Sequence, residues 1–384
     1  MPQPFVYNAL PSRVIFGTGT IVQVAREVLD LQCSRALVLT TPQQVEQGQT
    51  VRELLGDMCV GLYTNATMHT PADVTEDAMR IAKEVRADCV VAVGGGSTIG
   101  LGKAIALRTD LPQIVIPTTY AGSEMKFTPT QATPIIGQTE NGIKTTQKTV
   151  KVLPEVIIYD VNLTLSLPLK MSVTSGINAI AHAVEALYSK EANPIMDLLA
   201  QEGIKSIASA LPTMIHAKDS ESLLSARNTA LYGAWICGAC LGSVGMSLHH
   251  KLCHTLGMYR VFLALFWSSA GLIGDHAGGT FNLPHAETHT VILPHAIAYN
   301  APFAIDAVAK VASNLGVMNA AQGVFDLAKG LGAPYSLKEL GMKEDDLERA
   351  AEIAVMSPYP NPAPLEKSKL LKLLRDAWTG NRPE

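Results

Sequence analysis

The 384-residue sequence predicts two domains, an α/β domain built on a parallel sheet followed by an all-α domain. Three observations carry this. Up to Asp160, short β-rich runs alternate with helical patterns, as in parallel β/α units. Beyond Asp160, long segments rich in Ala, Leu, Ile and Met take over, with Pro and Gly at their ends. Hydrophobic residues make up 47% and charged residues 17%, enough apolar surface to bury two cores.

The strand candidates are Arg13–Phe16, Ala36–Thr40, Cys89–Val93, Gln113–Ile116 and Val156–Tyr159, each a short β-branched or aliphatic run. Helical periodicity fills Ile21–Leu31 and Thr75–Val85 between them. In the second half, Ser175–Ser189, Pro194–Ala210 and Ser222–Leu241 read as long helices. The expected division is 1–162 and 163–384, the texture changing between residues 160 and 168.

A glycine cluster, Gly94-Gly95-Gly96-Ser97-Thr98, follows the apolar run Val90–Val93 and opens a helix. Glycines there let backbone N–H groups approach a pyrophosphate, and the helix N-terminus adds a favourable dipole. A bare strand-to-helix turn uses glycine too, and the cluster is not a GxGxxG. A second polar loop of small residues, Pro117 to Glu124 with Thr118 and Thr119, leaves the next strand, where open α/β sheets bind ligands. Gly94, Gly95, Gly96, Ser97, Thr118, Thr119 and Thr40 are the expected cofactor-binding residues. The run Ala36–Thr40 ends without the acid that would bind a ribose diol and repel a 2′-phosphate, so NADH and NADPH are both expected to fit.

The second half concentrates histidines: His249, His250 and His254 in one segment, His285 and His289 in another, and His182 earlier. Asn178/His182 and His250/His254 are four apart, so each pair shares a helix face. One such histidine is unremarkable core; several beside a cofactor domain point to chemistry. They suit either a metal site or a metal-free site in which imidazoles donate protons and grip an anion.

Net charge −4 argues against a nucleic-acid or membrane-surface partner. The apolar run Val261–Gly274 is too short to span a bilayer, which needs about 20 residues. The six cysteines, including the pair Cys237/Cys240, read as buried free thiols of a reducing compartment. The Met-Pro-Gln-Pro-Phe start has no signal-peptide character, so a cytoplasmic location is expected.

Taken together, Arg13–Gly17, Gly94–Ser97, Pro117–Glu124, Val152–Asp160, Thr174–Ser189, Gly245–Gly257, Leu283–Asn300 and Ser357–Pro362 resemble the iron-containing alcohol dehydrogenase superfamily and, within it, the maleylacetate reductases. The resemblance implies a dehydroquinate synthase-like fold, with the active site between a dinucleotide-binding domain and a helical domain, and a homodimer. It implies reduction of the C=C bond of maleylacetate, a small dicarboxylate, to 3-oxoadipate by NADH or NADPH. His182, His250, His254 and His285 are then the catalytic candidates, with His250 or His254 as proton donor. His249, Lys251 and Asn178 are the candidates for holding substrate. The superfamily's Asp and three His metal ligands fall on Asn178, His182, His250 and His285. The Asn removes a charge from that set, so a metal-free enzyme is expected. The rival readings are a metal-dependent alcohol dehydrogenase or ketone reductase, and an inactive homologue.

The chain departs from the family pattern twice. Met258–Gly278 is an excess of 21 residues between Gly257 and Gly279, carrying Phe262, Leu263, Leu265, Phe266 and Trp267. It reads as a translated, unspliced intron, with a genuine lid or oligomer contact as the alternative. Lys126–Ala132 is a smaller surplus.

Overall fold

The computed structural model describes residues 5, 7, 12–67, 71–126, 152–257, 281, 283–356 and 358–384. Both surplus segments lie outside these residues, Lys126 excepted. Strands β1–β6 are Arg13–Gly17, Ala36–Leu39, Cys59–Tyr63, Cys89–Gly94, Gln113–Pro117 and Val156–Asp160. Helices α1–α7 are Val24–Asp30, Val45–Leu55, Ala72–Glu84, Gly96–Thr109, Leu169–Leu187, Pro194–Ile215 and Ser220–Ser243. Helices α8–α13 are Leu248–Leu256, His285–Asn300, Ile305–Leu315, Ala320–Gly330, Leu347–Met356 and Lys367–Thr379.

Contacts divide the chain into two compact units. One joins Ala9–Leu167 with Lys218–Gly242; the other joins Pro168–Ala217 with Ser243–Glu384. A boundary at 162/163 therefore cuts α7 away from the unit in which it packs.

In the first unit all six strands pair in parallel, in the order β1-β6-β5-β4-β2-β3. Parallel strands covered on both faces need continuous apolar runs, and β2, β4, β5 and β6 supply them. Val38, Val91, Ile114, Ile116 and Ile158 cluster with Val24, Val28 and Val51, while Leu37, Leu39, Val90, Ala92 and Val115 cluster with Ala78, Ile99, Leu101 and Ile105. The chain runs outward from β2 to β3, then returns to the other side of β2 as β4. The C-terminal ends of β2 and β4 thus flank the point where strand order reverses.

β1 is placed by Asp160, whose buried carboxylate accepts the backbone N–H of Gly19 and Ile21, both at 2.9 Å. α7 is anchored by Arg227, which is 1% exposed and donates to the Leu167 carbonyl at 2.7 Å and the Tyr120 hydroxyl at 3.3 Å. Its Tyr232 and Trp235 pack with Phe16, and Trp235 also meets Tyr159. A Cβ at Gly238 would lie 3.0 Å from Met125 Cγ, so glycine lets α7 approach that loop closely. Cys237 and Cys240 of α7 are free and buried, as the sequence suggests.

The second unit is helical. Asn193 caps α6 by accepting from the N–H groups of Ile195 and Met196, and Pro194 opens the helix. α8, α9, α12 and α13 share a core that includes Leu248, Leu252, Leu256, Val291, Ile292, Leu347, Leu370 and Leu374. Among the described residues, no single helix is long and apolar enough to cross a membrane.

Candidate active site

In the first unit, β4 delivers the chain into the glycine loop and α4. Gly94 adopts φ +152°, and a Cβ there would lie 2.5 Å from Thr98 Oγ1, so both strain and space require glycine. A Cβ at Gly95 would lie 2.9 Å from Thr119 Cγ2. Gly95, Gly96 and Ser97 are half-buried, so backbone at the helix N-terminus remains reachable. This is a cradle that side chains would fill, and it fits a dinucleotide pyrophosphate.

The threonines have other positions. Thr98 and Thr40 are fully buried; Thr40 Oγ1 donates to the Gln44 carbonyl at 3.1 Å. Thr118 Oγ1 accepts from Gln44 Nε2 at 2.7 Å, and Thr119 is half-buried. Gln44 thereby ties the ends of β2 and β5 across the strand-order reversal. Nothing in its local sequence marked it.

Behind the second loop, Lys103 of α4 is fully buried, and its Nζ donates to the carbonyls of Ser123 and Lys126. Burial pushes the amine down to about 7, with Glu124 opposing. Tyr159 donates to Glu124 Oε1 at 2.7 Å, and burial raises both groups.

In the second unit α5, α8 and α9 bring six imidazoles together, five in a closed ring of contacts and His182 against it. His182 and His250 have ring centroids 5.0 Å apart, His250 and His254 6.0 Å, and His254 and His285 6.5 Å, the last pair stacked. The ring closes through His285–His289 at 4.4 Å, His249–His289 at 4.8 Å and His249–His250 at 5.0 Å. His182, His249, His250 and His289 are buried, His254 is half-buried and His285 exposed.

Glu185, absent from the sequence candidates, organises this ring. It lies fully buried on α5, at i+3 from His182 and i+7 from Asn178. Its Oε2 is 2.6 Å from His250 Nδ1, and it accepts the backbone N–H of Ser247 and His249 at 2.9 and 2.7 Å. Burial raises its carboxyl to about 8 against the pull of these donors. The spacing Asn178, His182, Glu185 is helical, and that periodicity was the signal available in the sequence.

Burial sets the remaining groups. His249 falls to about 4, its Nε2 resting 3.1 Å from the His289 carbonyl, and His289 is held neutral by burial and then by the neighbouring imidazoles. Lys251 is half-buried and lowered by burial, with Nζ 5.7 Å from the Tyr359 ring centroid. Tyr359 OH lies 3.0 Å from His254 Nδ1. The same loop presents Asn361, which exchanges two amide hydrogen bonds with Asn300 at 2.9 and 2.7 Å and accepts the Leu248 N–H at 3.3 Å. Residues 358–362 thus fix both the start of α8 and the half-exposed histidine.

Comparisons with known proteins agree with this layout. The family model described as iron-containing alcohol dehydrogenase matches residues 11–161, and its C-terminal counterpart matches 172–261 and 268–378. The chain belongs to the iron-containing alcohol dehydrogenase family. It is 50% identical over 383 residues to the maleylacetate reductase of Rhizobium sp. (strain MTP-10005), with 100% of both chains covered. To that of Burkholderia cepacia it is 49% identical over 379 residues, covering 99% of each. Among solved structures, a putative alcohol dehydrogenase from Ralstonia eutropha JMP134 matches with TM-score 0.88 and 49% identity over 100% of both chains. Maleylacetate reductase from Agrobacterium tumefaciens matches with TM-score 0.84 and 50% identity, covering 99% of this chain and 100% of that one. The resemblance and the fold class read from the sequence are borne out.

The family name implies a metal, and the resemblance puts it at Asn178, His182, His250 and His285. Asn178 Oδ1 is buried with no hydrogen-bond partner among the described residues, so a neutral donor is available. The ligand atoms of His182, His250 and His285 do not all lie within 4.8 Å of one another. The set offers a neutral amide in place of the family's carboxylate, a weaker ligand for a metal held in the family manner.

Proposed function

We propose that this chain reduces the C=C bond of maleylacetate to 3-oxoadipate with NADH or NADPH, and that it does so without a metal. The carrying observation is the ring of imidazoles backed by the buried Glu185, a proton-handling site with a neutral amide at the position of the family's acidic ligand. Full-length relatives at 50% and 49% identity that bear the name maleylacetate reductase support the substrate.

When bound, the nicotinamide would supply hydride to the carbon β to the substrate ketone. Gly94, Gly95, Gly96 and Ser97 would hold its pyrophosphate at the α4 N-terminus, while Thr40 and Thr118 shape that cradle through Gln44. The electron pair displaced from the double bond builds an enolate, whose oxygen needs hydrogen-bond donors. His182 and His250 serve it, Glu185 and His250 Nδ1 sharing one proton so that Nε2–H is the donor toward the reacting group. His254, more accessible than His250 and braced by Tyr359, gives the proton to the α carbon. Lys251 and the exposed His285 grip carboxylate, with Asn178 lending its amide. His249, enclosed and neutral, supports His250 in this scheme.

The test is NADH and NADPH oxidation with maleylacetate after chelator treatment. Rapid turnover that chelator does not abolish is expected. Activity that vanishes with chelator and returns with zinc or iron overturns the metal-free reading; no turnover by folded protein overturns the substrate.

A further inference from the structure

Beside the family's metal position a different trio of side chains converges. His249 and Cys253 lie one turn apart on α8, and His289 on α9 meets them. One ligand atom from each of the three falls within 4.8 Å of the other two. Cys253 Sγ is 3.5 Å from His249 Nε2. That separation suits two ligands of one tetrahedral ion, with metal–sulfur near 2.3 Å and metal–nitrogen about 2.0–2.1 Å. All three side chains are buried. Neither ring nitrogen of His289 has a hydrogen-bond partner among the described residues, an unmet demand in a fully enclosed imidazole. One thiolate and two imidazoles favour a borderline-soft ion over magnesium or calcium.

We propose that His249, Cys253 and His289 form a zinc site distinct from the family's metal position. The ion takes Cys253 as thiolate, and the thiol proton leaves to solvent. His249 gives the Nε2 lone pair, so its proton shifts to Nδ1 and the contact with the His289 carbonyl breaks. His249 Nδ1 is 3.3 Å from His250 Nδ1, so the relocated proton faces the nitrogen that Glu185 holds. Zinc at this site therefore disturbs His250. This last consequence rests on the function proposed above; the binding itself does not.

Cobalt serves as the spectroscopic probe. Chelator-treated protein titrated with Co²⁺ alone is expected to take up about one ion with a near-ultraviolet sulfur-to-cobalt charge-transfer band. The band should vanish in Cys253→Ser, weaken in His289→Asn and persist in Asn178→Ala. A separate group, the thiols of Cys33 and Cys89 with Asp88, also lies within ligand range, so Cys33→Ser is the control and should keep the band. A band lost in Cys33→Ser but kept in Cys253→Ser overturns the proposal, as does cobalt bound without any thiolate band, or no binding. Circular dichroism melts show that each variant is folded. In the activity assay Zn²⁺ should inhibit wild type more than Cys253→Ser; equal inhibition refutes the coupling to His250 while the band still decides the site.

Discussion

Glu185 Oε2 stands 2.6 Å from His250 Nδ1 with both side chains buried, which makes a carboxyl–imidazole pair inside the histidine ring. Such a pair fixes the tautomer of the imidazole and so which nitrogen faces the substrate. Glu185→Gln keeps the shape and loses that control. Its kcat for maleylacetate should fall about 10- to 100-fold, the range for groups that orient a functional histidine. Unchanged kcat in a folded variant would refute the role.

The same carboxyl links stability to pH. Its folded value is raised from 4.5 to about 8, so between those values the folded protein holds a proton that the unfolded chain has released. Its contribution is fully present below pH 4.5 and is lost as pH rises toward 8. Gln does not titrate, so the stability advantage of wild type over Glu185→Gln should shrink across that window. Denaturant midpoints at pH 5 and pH 8 check it; a gap that widens contradicts the sign.

His254 is half-buried, with Nδ1 at 3.0 Å from Tyr359 OH. In the proton-donor role proposed for it, replacement by Ala should lower kcat about 10²- to 10⁴-fold with cofactor affinity unchanged. Tyr359→Phe should have a smaller effect and shift the pH profile of kcat. Retention of more than about a tenth of wild-type kcat by His254→Ala would return the role to His250.

Gly95→Ala tests the cradle. Its Cβ would press on Thr119 at 2.9 Å while the backbone stays in an ordinary conformation, with φ −92°. The dissociation constant for NADH should rise about tenfold, or ~1.4 kcal/mol, by fluorescence titration. Gly94→Ala adds strain at φ +152° and should cost stability as well. If Gly95→Ala binds NADH as wild type does, the pyrophosphate sits elsewhere.

Lys103 gives a pH effect of opposite slope. Its amine is lowered from 10.5 to about 7, so between these values the unfolded chain binds the proton and the folded protein does not. Stability from this site therefore rises from pH 7 toward 10.5. Lys103→Met leaves the Ser123 and Lys126 carbonyls without their donor and should cost about 2–5 kcal/mol near neutral pH. Its deficit should grow toward pH 9, read by chemical denaturation. A deficit that shrinks instead would mean the amine stays charged in the fold.

Much of this architecture is written locally. Buried parallel strands need unbroken aliphatic runs, and β2, β4, β5 and β6 were visible for that reason. β3 was not, because Cys59–Tyr63 is a mostly half-buried edge strand interrupted by Gly61, whose Cβ would lie 3.0 Å from Leu37 Cδ1. Glycine there answers to packing across the sheet, which no local pattern reports. The histidines were legible because imidazoles crowd few segments of the chain. Glu185 looked like one more helical acid until the fold brought the α8 N-terminus onto it. Tyr359 and Asn361 act on histidine and asparagine partners 105 and 61 positions away, separations that only tertiary structure closes.

The return of α7 to the first unit bears on how the chain is made. A ribosome emitting residues in order presents the sheet by Leu167, yet Arg227, Tyr232 and Trp235, which pack against its Tyr120, Phe16 and Tyr159, follow only later. Residues 168–217 must be held aside meanwhile. At about 5–20 residues per second the wait lasts seconds, during which an aromatic face of the nascent unit lacks its cover. A fragment ending near residue 167 keeps that face bare indefinitely and should engage chaperones or aggregate, whereas the chain extended through Gly242 can bury it.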